Sequence, residues 1–204
     1  MGGVTEDGRR KAEDGRPKPE TGNRKPETGN WKLETGNWKL ETGSWKLAKR
    51  PIAVAFGSNL GNRREAILVA ADEIRRLLSE FQLSFLIETA PVGAGLENDP
   101  PYLNAAGVGR SARPARELLD AFLDIEQRHG RTRPSTNAPR TLDLDLILAG
   151  DEIIDEPGLR VPHPRFRERA FVLEPLAAIA PDLIDPATGK TIAELWCAIR
   201  KAGA

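Results

Sequence analysis

The spacing of hydrophobic positions changes several times after residue 50, and each spacing predicts a type of element. Residues 51–57, PIAVAFG, form a short apolar run that ends at a glycine, which predicts a buried strand. Over residues 63–79 the apolar side chains recur at three- and four-residue intervals, which predicts a helix. Asn62 stands where an N-cap residue is expected.

The rest of this region continues the alternation of strands and helices. FQLSFLIETAPV and YLNAAGVGR predict strands, and PARELLDAFLDIEQRHG predicts a helix that begins near Pro114 and ends at Gly130. TLDLDLILAG predicts a further strand with a hairpin partner at GDEIID, and VPHPRF leads into a last helical region. The order β-α-β-β-α-β predicts an α+β fold, a ferredoxin-like antiparallel sheet under two helices, with an extra C-terminal segment.

The first fifty residues follow a different pattern. Four seven-residue units, KPETGNR, KPETGNW, KLETGNW and KLETGSW, follow one another from Lys18. Each unit carries a glycine and only one or two apolar residues, which excludes a coiled coil. We expect a disordered low-complexity tail over residues 1–50 and one globular domain over residues 51–204. A partner-binding role for the tail tryptophans is the alternative.

Composition excludes several classes of protein. The 30 basic and 30 acidic residues give no net charge, which disfavours a nucleic-acid or membrane partner and favours small molecules. The single cysteine, Cys197, excludes an intramolecular disulfide and favours a reducing compartment. No apolar run reaches the roughly 18 residues of a membrane span, and the N-terminus lacks a secretory signal. We therefore expect a cytoplasmic protein.

Residues 131–148, RTRPSTNAPRTLDLDLIL, combine a basic loop with an acidic strand. Alternation along a strand places Asp143 and Asp145 on one face, roughly 6 to 7 Å apart, with leucines on the other. Two such carboxylates can share Mg²⁺, which prefers oxygen ligands and keeps substrate phosphates in its remaining positions. The arginines Arg131, Arg133 and Arg140 would bind outer phosphate oxygens. The alternative, an amphipathic strand with solvated aspartates, leaves these arginines unexplained.

Two further motifs have both a functional and a structural interpretation. FGSNLGN could bind phosphate through backbone N–H groups or could simply join a strand to a helix, and it matches neither common phosphate-loop pattern. Tyr102 and Asn104 share a strand face and offer a flat ring beside a paired donor and acceptor, which suits a planar heterocycle. Alternatively they are an edge tyrosine and an asparagine that satisfies local backbone groups.

Four single residues also admit two interpretations. His129 falls at a helix C-terminus, where a capping role is favoured. His163 lies between two prolines, and either a phosphate contact or a structural role is consistent with that position. Glu126 is interpreted as part of a solvated helix face, with support of the site as the alternative, and Phe171 as a core aromatic. No histidine or cysteine spacing fits a zinc site.

The motifs FGSNLGN, ETAPVG, PYLNAA, IEQRHGRTR, PRTLDLDLIL, VPHPRFRERAFVLEPL and IAPDL, in this order and spacing, resemble the 6-hydroxymethyl-7,8-dihydropterin pyrophosphokinase family of folate biosynthesis. The resemblance covers roughly residues 51–186. It implies a ferredoxin-like enzyme, usually monomeric, that transfers the terminal pyrophosphoryl group of ATP to the hydroxymethyl group of the reduced pterin and releases AMP. It also implies two Mg²⁺ ions, with ATP as co-substrate.

The same resemblance assigns roles to individual residues. It implies catalytic roles for Arg131, Arg140, Asp143 and Asp145, with the two aspartates as magnesium ligands. Nucleotide-binding positions are Glu126, Arg131, Arg133, Arg140, Leu146, His163 and Arg169, where Leu146 offers backbone to adenine. Pterin-binding positions are Thr89, Val92, Tyr102, Asn104, Asp143 and Phe171, where Tyr102 and Phe171 sandwich the ring.

The chain departs from the family pattern at four positions. Thr136 and Asn137 replace a common basic residue and a common tryptophan, so a tryptophan that closes over the pterin is not expected. Ala90 replaces a frequent proline, and Pro164 stands where an aromatic residue often follows the histidine. Another two-metal phosphoryl or nucleotidyl transferase, or a non-catalytic ferredoxin-like binding module, is the alternative function.

Overall fold

A computed structural model describes residues 31–34, 37–40, 48–91, 100–130 and 140–202, the first two ranges by their backbone alone. The chain divides into two compact units, Met1–Trp45 and Lys46–Ala204. In the first unit, β1 (Trp31–Glu34) and β2 (Asn37–Leu40) pair antiparallel, with Glu34 opposite Asn37. The strands β1 and β2 differ from the disorder expected over residues 1–50, while residues 1–30, 35–36 and 41–47 lie outside the described residues, where that expectation stays a prediction.

The second unit alternates strands and helices in the predicted order, with one strand interrupted. Its elements are β3 (Arg50–Ser58), α1 (Arg63–Leu77), β4 (Ser79–Leu83), β5 (Ile87–Thr89), β6 (Tyr102–Ser111), α2 (Ala115–Arg128), β7 (Asp143–Ala149), β8 (Ile154–Glu156), β9 (Leu159–Val161), a 3₁₀ turn (Phe166–Glu168), α3 (Ala170–Ile179) and α4 (Ile192–Ala202). The α+β class is confirmed.

The helix ends follow the signals in the sequence. The Asn62 side chain accepts a hydrogen bond from the Glu65 backbone N–H and so caps α1, as predicted. Gly130, which follows α2, has a φ of +79°, a conformation that costs glycine little and that ends helices. His129 is the C-cap of α2, and its Nε2 lies 3.0 Å from Glu73 Oε1 on α1.

The main sheet has the strand order β4-β6-β3-β7, with β5 also paired to β6, and all its pairs are antiparallel. One face carries the larger apolar side chains of β3, including Ile52, Val54 and Phe56, which pack in one core with residues of α1 and α2. The other face carries Ala53 and Ala55, which share a second core with residues of α3 and α4. Helices therefore cover both faces of the sheet.

Two strand predictions are corrected. FQLSFLIETAPV forms β4 and β5 rather than one strand, and the chain between them turns so that the Ser84 hydroxyl accepts the Ala106 N–H. The segment predicted as the hairpin partner of β7 forms β8, which pairs with β9 instead. The outer edge of β7 is already occupied: Leu144 N–H donates to Glu126 on α2, and Ile147 C=O accepts from His163 N–H.

Among the described residues, no helix is long and apolar enough to cross a membrane.

Candidate active site

One row of residues crosses three strands on the sheet face that α3 and α4 partly cover. Gly57 on β3 lies opposite Asn104 on β6 and opposite Asp143 on β7. Residues directly opposite in antiparallel strands project from the same face, so Asn104 and Asp143 flank the glycine. A Cβ atom at residue 57 would lie 3.5 Å from Asn104 Oδ1 and 3.8 Å from the Asp143 Cβ. Glycine therefore leaves a gap between the amide and the carboxylate.

The next row brings the second aspartate onto the same face. Ala55 lies opposite Asp145 on β7 and opposite Ala106 on β6. The intervening Leu144 points the other way and is buried in the core against α1 and α2. The predicted alternation of aspartates and leucines along β7 is thus confirmed, and both carboxylates are half-buried.

Each aspartate is bound by an arginine from a different part of the chain. Arg140, three residues before the strand, donates from Nη1 to Asp143 Oδ1 at 2.8 Å. Arg169, the N-cap residue of α3, donates from Nη1 to Asp145 Oδ2 at 3.2 Å. Burial by itself would lower the pKa of Arg140, but the attraction of Asp143 raises it above its usual value. Arg140 therefore stays charged at any physiological pH.

His163 faces Asp145 from the segment that follows β9. Its Nε2 lies 3.8 Å from Asp145 Oδ2, and its Nδ1 accepts a hydrogen bond from the Arg165 backbone N–H. Burial lowers the pKa of His163, and Arg169 and Arg165 lower it further against the opposing effect of Asp145. The ring is therefore neutral at pH 7, with its proton on the Nε2 that faces Asp145.

Asn104, Thr89 and Tyr102 lie together on β5 and β6. Asn104 is 5% exposed, and its Nδ2 donates to Thr89 Oγ1 at 2.8 Å. Thr89 is opposite Tyr102 in the β5–β6 pair, and all three side chains occupy one face. The half-buried Tyr102 thus presents its ring next to the Asn104 amide.

Phe171 stands in the first turn of α3, two residues after Arg169. It is half-buried and packs against the core that α3 and α4 share with the sheet, which agrees with its interpretation as a core aromatic. The Arg169 guanidinium carbon lies 5.5 Å from the centre of its ring. This cation–π contact holds Arg169 between Phe171 and Asp145.

The interpretation of Glu126 as a solvated helix residue is wrong. Its side chain is fully buried, and its Oε1 accepts the Leu144 backbone N–H at 2.7 Å, between the two aspartates of β7. Helical spacing itself places Glu126 on the buried stripe of α2, four residues after Phe122. The interpretation followed the charge of the side chain instead, because the sequence does not reveal that an open N–H group of an edge strand lies beside it. Leu146 lies on β7, and its side chain is buried in the core that the sheet shares with α1 and α2.

On the sheet face that carries the two aspartates, the structure brings together eight of the predicted site residues: Thr89, Tyr102, Asn104, Arg140, Asp143, Asp145, His163 and Arg169, with Phe171 in the first turn of α3. Glu126 and the Leu146 side chain lie instead toward the core that the sheet shares with α1 and α2. Val92, Arg131, Arg133, Thr136 and Asn137 lie outside the described residues.

Asn59 contacts the site although no role in it is predicted from the sequence. Its Oδ1 accepts the Arg140 backbone N–H at 2.7 Å, and its own N–H donates to the Arg140 C=O at 3.1 Å. The residue belongs to FGSNLGN, so the motif itself is the only signal that could have identified it. The contact to Arg140 joins residues far apart in sequence, which local patterns do not reveal.

Comparison with known proteins gives one family. Residues 53–181, more than half of the chain, match the family described as 7,8-dihydro-6-hydroxymethylpterin-pyrophosphokinase (HPPK). A 2-amino-4-hydroxy-6-hydroxymethyldihydropteridine pyrophosphokinase of Pseudomonas aeruginosa is 40% identical over 149 residues, which cover 72% of this chain and 90% of that protein. A protein of the same name from Synechocystis is 49% identical over 96 residues, which cover 47% of this chain and 49% of that protein.

Solved structures give the same fold. A crystal structure of an HPPK-DHPS in complex with substrates superposes with a TM-score of 0.60 at 13% identity, over 76% of this chain and 44% of that one. At this identity the likeness concerns the fold alone. The chain therefore spans less than half of that structure and of the Synechocystis relative, but most of the Pseudomonas relative.

Proposed function

Because the chain belongs to the 7,8-dihydro-6-hydroxymethylpterin-pyrophosphokinase family, we infer that it transfers pyrophosphate from ATP to 6-hydroxymethyl-7,8-dihydropterin. The acceptor is the hydroxymethyl group, and the products are AMP and the pterin diphosphate of folate biosynthesis. The protein is thus a transferase whose substrates are small molecules.

Apart from the family match, one observation supports this function, namely the row Asn104–Gly57–Asp143. It places a buried amide and a carboxylate side by side across a glycine that adds no side chain between them. A pterin needs a paired donor and acceptor at its pyrimidinone edge, which Asn104 supplies. The reacting hydroxymethyl group would then lie toward Asp143 and Asp145, where the phosphates are held.

Tyr102 and Phe171 would hold the two faces of the pterin, while Thr89 would position the Asn104 amide. The half-burial of both aromatic rings supports this assignment, because a flat ligand could cover the surface they still expose. Val92 belongs to the same proposed pocket.

The arginines bind the nucleotide in this proposal. A guanidinium carries five N–H donors, so Arg140 and Arg169 can each bind a carboxylate and a phosphate oxygen together. His163 would donate its Nε2 proton to a phosphate oxygen, Leu146 would offer backbone to adenine, and Arg131 and Arg133 would neutralise the triphosphate. Glu126, also predicted at the nucleotide, would act there from its buried position beside Leu144.

The residues present fit magnesium that arrives with ATP. Among the described residues, no group of three or more histidine, cysteine, aspartate or glutamate side chains could hold a metal ion. Mg²⁺ is commonly bound by one or two carboxylates together with substrate phosphates and water. Asp143 and Asp145 would hold two such ions, which would neutralise phosphate charge in the transition state.

The protein's own contribution is positioning and charge neutralisation. The hydroxymethyl oxygen attacks the β-phosphorus while the bond from that phosphorus to the oxygen of AMP breaks. Arg140 and Arg169, fixed by Asp143 and Asp145, face the oxygens whose charge changes in this step. His163 adds a further donor beside Asp145.

We also propose a ferredoxin-like domain over residues 51–204 that acts as a cytoplasmic monomer. The strand order β4-β6-β3-β7 and the packing of α1 and α2 in one core support the ferredoxin-like description. The single cysteine supports the compartment.

The test is an assay for AMP formed from ATP, run with and without the reduced hydroxymethylpterin. We expect AMP in stoichiometric amount with a pterin product heavier by one pyrophosphoryl group, and only when pterin and Mg²⁺ are both present. Formation of ADP independent of pterin would indicate another two-metal transferase. Pterin and nucleotide binding without any product would indicate a binding module.

A further inference from the structure

We propose that Asn59 is a positioning residue that sets the place of Arg140, and through it Asp143, for pyrophosphoryl transfer. The proposal rests on the proposed function, because it concerns the same site. It assigns a role to the motif FGSNLGN, for which the sequence leaves two interpretations open, a phosphate-binding loop and a plain turn.

The first observation is a pair of hydrogen bonds that fixes the Arg140 backbone. Asn59 Oδ1 accepts the Arg140 N–H at 2.7 Å, and the Asn59 N–H donates to the Arg140 C=O at 3.1 Å. The two bonds engage the N–H and the C=O of one residue, and so they fix the backbone on both sides of the Arg140 Cα atom. Residue 59 follows directly on β3, so the arginine is anchored to a central strand of the sheet.

The second observation is that the contact with Arg140 uses only the acceptor of the Asn59 side chain. Asn59 is 2% exposed, and its Nδ2 is buried without a hydrogen-bond partner among the described residues. A buried amide that satisfies only part of its hydrogen-bonding capacity costs free energy. An apolar residue would avoid that cost but could not accept the Arg140 N–H.

The third observation is that the contact leads directly to the reacting region. Arg140 Nη1 donates to Asp143 Oδ1, and Asp143 lies opposite Gly57 of β3, which stands two residues before Asn59 in the chain. Asn59, Arg140, Asp143 and Gly57 therefore form a closed ring of contacts. Loss of the Asn59 side chain removes one of the two bonds to the Arg140 backbone and leaves the bond from the Asn59 N–H, so the backbone that carries the guanidinium is held less firmly.

The experiment compares Asn59→Ala, Asn59→Asp and the control Asn62→Ala in steady-state assays of AMP formation. Asn59→Ala should lower kcat by about 10- to 100-fold, the scale expected for small misplacement of a catalytic group. Asn59→Asp keeps the acceptor for the Arg140 N–H but adds a buried carboxylate, so it should lose thermal stability while it retains more of the wild-type kcat than Asn59→Ala does. Asn62→Ala removes the α1 cap from the same loop and should change thermal stability but not kcat.

A double-substitution cycle separates positioning from general stability. If Asn59 acts through Arg140, Asn59→Ala added to Arg140→Lys should cost less than about threefold more than Arg140→Lys alone. Fully multiplicative losses, or an Asn59→Ala enzyme with wild-type kcat, would overturn the proposal. Should Asn59→Ala not fold, Asn59→Ser, whose hydroxyl is shorter than the amide, takes its place in both experiments.

The wild-type assay distinguishes failure of this proposal from failure of the function. Absence of pterin-dependent AMP in the wild type would reject the function itself. As a readout independent of turnover, calorimetry with a non-hydrolysable ATP analogue should show weaker binding to Asn59→Ala than to Asn62→Ala. Equal affinities of these two variants would count against the positioning role.

Discussion

Asp145 projects from β7 with one oxygen bound to Arg169 and still about one third exposed, at 31%. Replacement by alanine should lower kcat at least about a thousandfold, because it removes a proposed metal ligand and an electrostatic group of the transition state. The fold should survive, since the side chain lies at the surface of the site rather than in a core. AMP formation at saturating Mg²⁺ is the measurement.

The matched control for Asp145 is Asp155→Asn on β8, where the carboxylate is exposed and pairs with Arg160 away from the site. It should leave kcat unchanged. More than a tenth of wild-type activity in Asp145→Ala would contradict the assignment of Asp145 as a metal ligand.

Gly57→Ala is predicted to raise stability and to weaken pterin binding. Its φ is not in the left-handed region, so Gly57→Ala needs no backbone strain, and the new methyl group would make ordinary contacts with Asn104 and Asp143. Fewer unfolded conformations should raise stability slightly, by about 0.4 to 1 kcal/mol. The methyl group should nevertheless fill the gap between amide and carboxylate and raise the KM for pterin at least about tenfold.

Kinetics with each substrate varied, together with urea unfolding, checks the Gly57 variant. An unchanged KM for pterin would show that the gap is not part of the pterin pocket. A parallel rise in the KM for ATP would place the effect on the nucleotide side instead.

At the scale of single residues, the sequence alone identifies side chains that share a strand. Asp143 with Asp145, and Tyr102 with Asn104, follow from two-residue alternation. Gly57 and Asn59 do not, because their importance comes from partners on other strands. The role of Glu126 is not predicted for the same reason. A carboxylate on a helix is expected to be solvated unless the strand whose N–H group it accepts is known to lie beside it.

The elements after β9 are joined by a buried ion pair that the sequence does not reveal. Asp185, fully buried, accepts hydrogen bonds from Nε and Nη2 of Arg167, both at 2.7 Å. Arg167 lies in the 3₁₀ turn just before Arg169, so the segment after α3 is tied to the segment that presents Arg169 to Asp145. The pair therefore links the C-terminal region to the site.

This ion pair predicts a pH dependence of stability. Burial would raise the pKa of the Asp185 carboxyl, but the hydrogen bonds from Arg167, Thr188 and the Ala187 backbone lower it below its usual value. A lowered pKa in the folded state adds stability at pH values above the ordinary pKa of about 3.9, and that stability is lost as the pH falls through the folded value. Asp185→Asn should thus be less stable at pH 7, by about 3 to 5 kcal/mol.

Urea unfolding of wild type and Asp185→Asn at pH 7 and near pH 3 measures this difference, which should shrink at the lower pH. Asp155→Asn breaks an exposed pair and should cost less than about 0.5 kcal/mol at either pH. A difference for Asp185→Asn that is equal at both pH values would assign its effect to packing rather than to charge.

Element types follow from spacing and caps, as Asn62 at the start of α1 and Gly130 after α2 show. Pairing between elements follows less well. The strand β8 has the residues of a partner for β7, but β7 already has Glu126 and the His163 backbone at its outer edge. A competition between a side chain and a strand for the same backbone groups is decided by tertiary packing, which local sequence does not encode.

At the scale of the whole molecule, the repeats and the enzyme domain should be separable. Met1–Trp45 and Lys46–Ala204 are distinct compact units, and the family match begins only at residue 53. Deletion of Met1–Trp45 should leave kcat and the thermal midpoint almost unchanged, because every proposed site residue and both cores lie in the second unit.

Activity assays and thermal unfolding of the two lengths of chain test this expectation. A loss of several degrees in thermal midpoint would show that the repeats contribute to the fold of the domain. A change in KM with an unchanged midpoint would instead show that they act on the site.

The occupied outer edge of β7 also bears on how copies of the protein behave toward one another. A strand with open N–H and C=O groups at the edge of a sheet is a template on which a second chain can add a strand and begin a fibril. The Leu144 N–H and the Ile147 C=O are already bound within the chain, by Glu126 and by the His163 backbone. The contacts of Glu126 and the His163 backbone with β7 therefore also shield the strand that carries the aspartates from amyloid-like stacking.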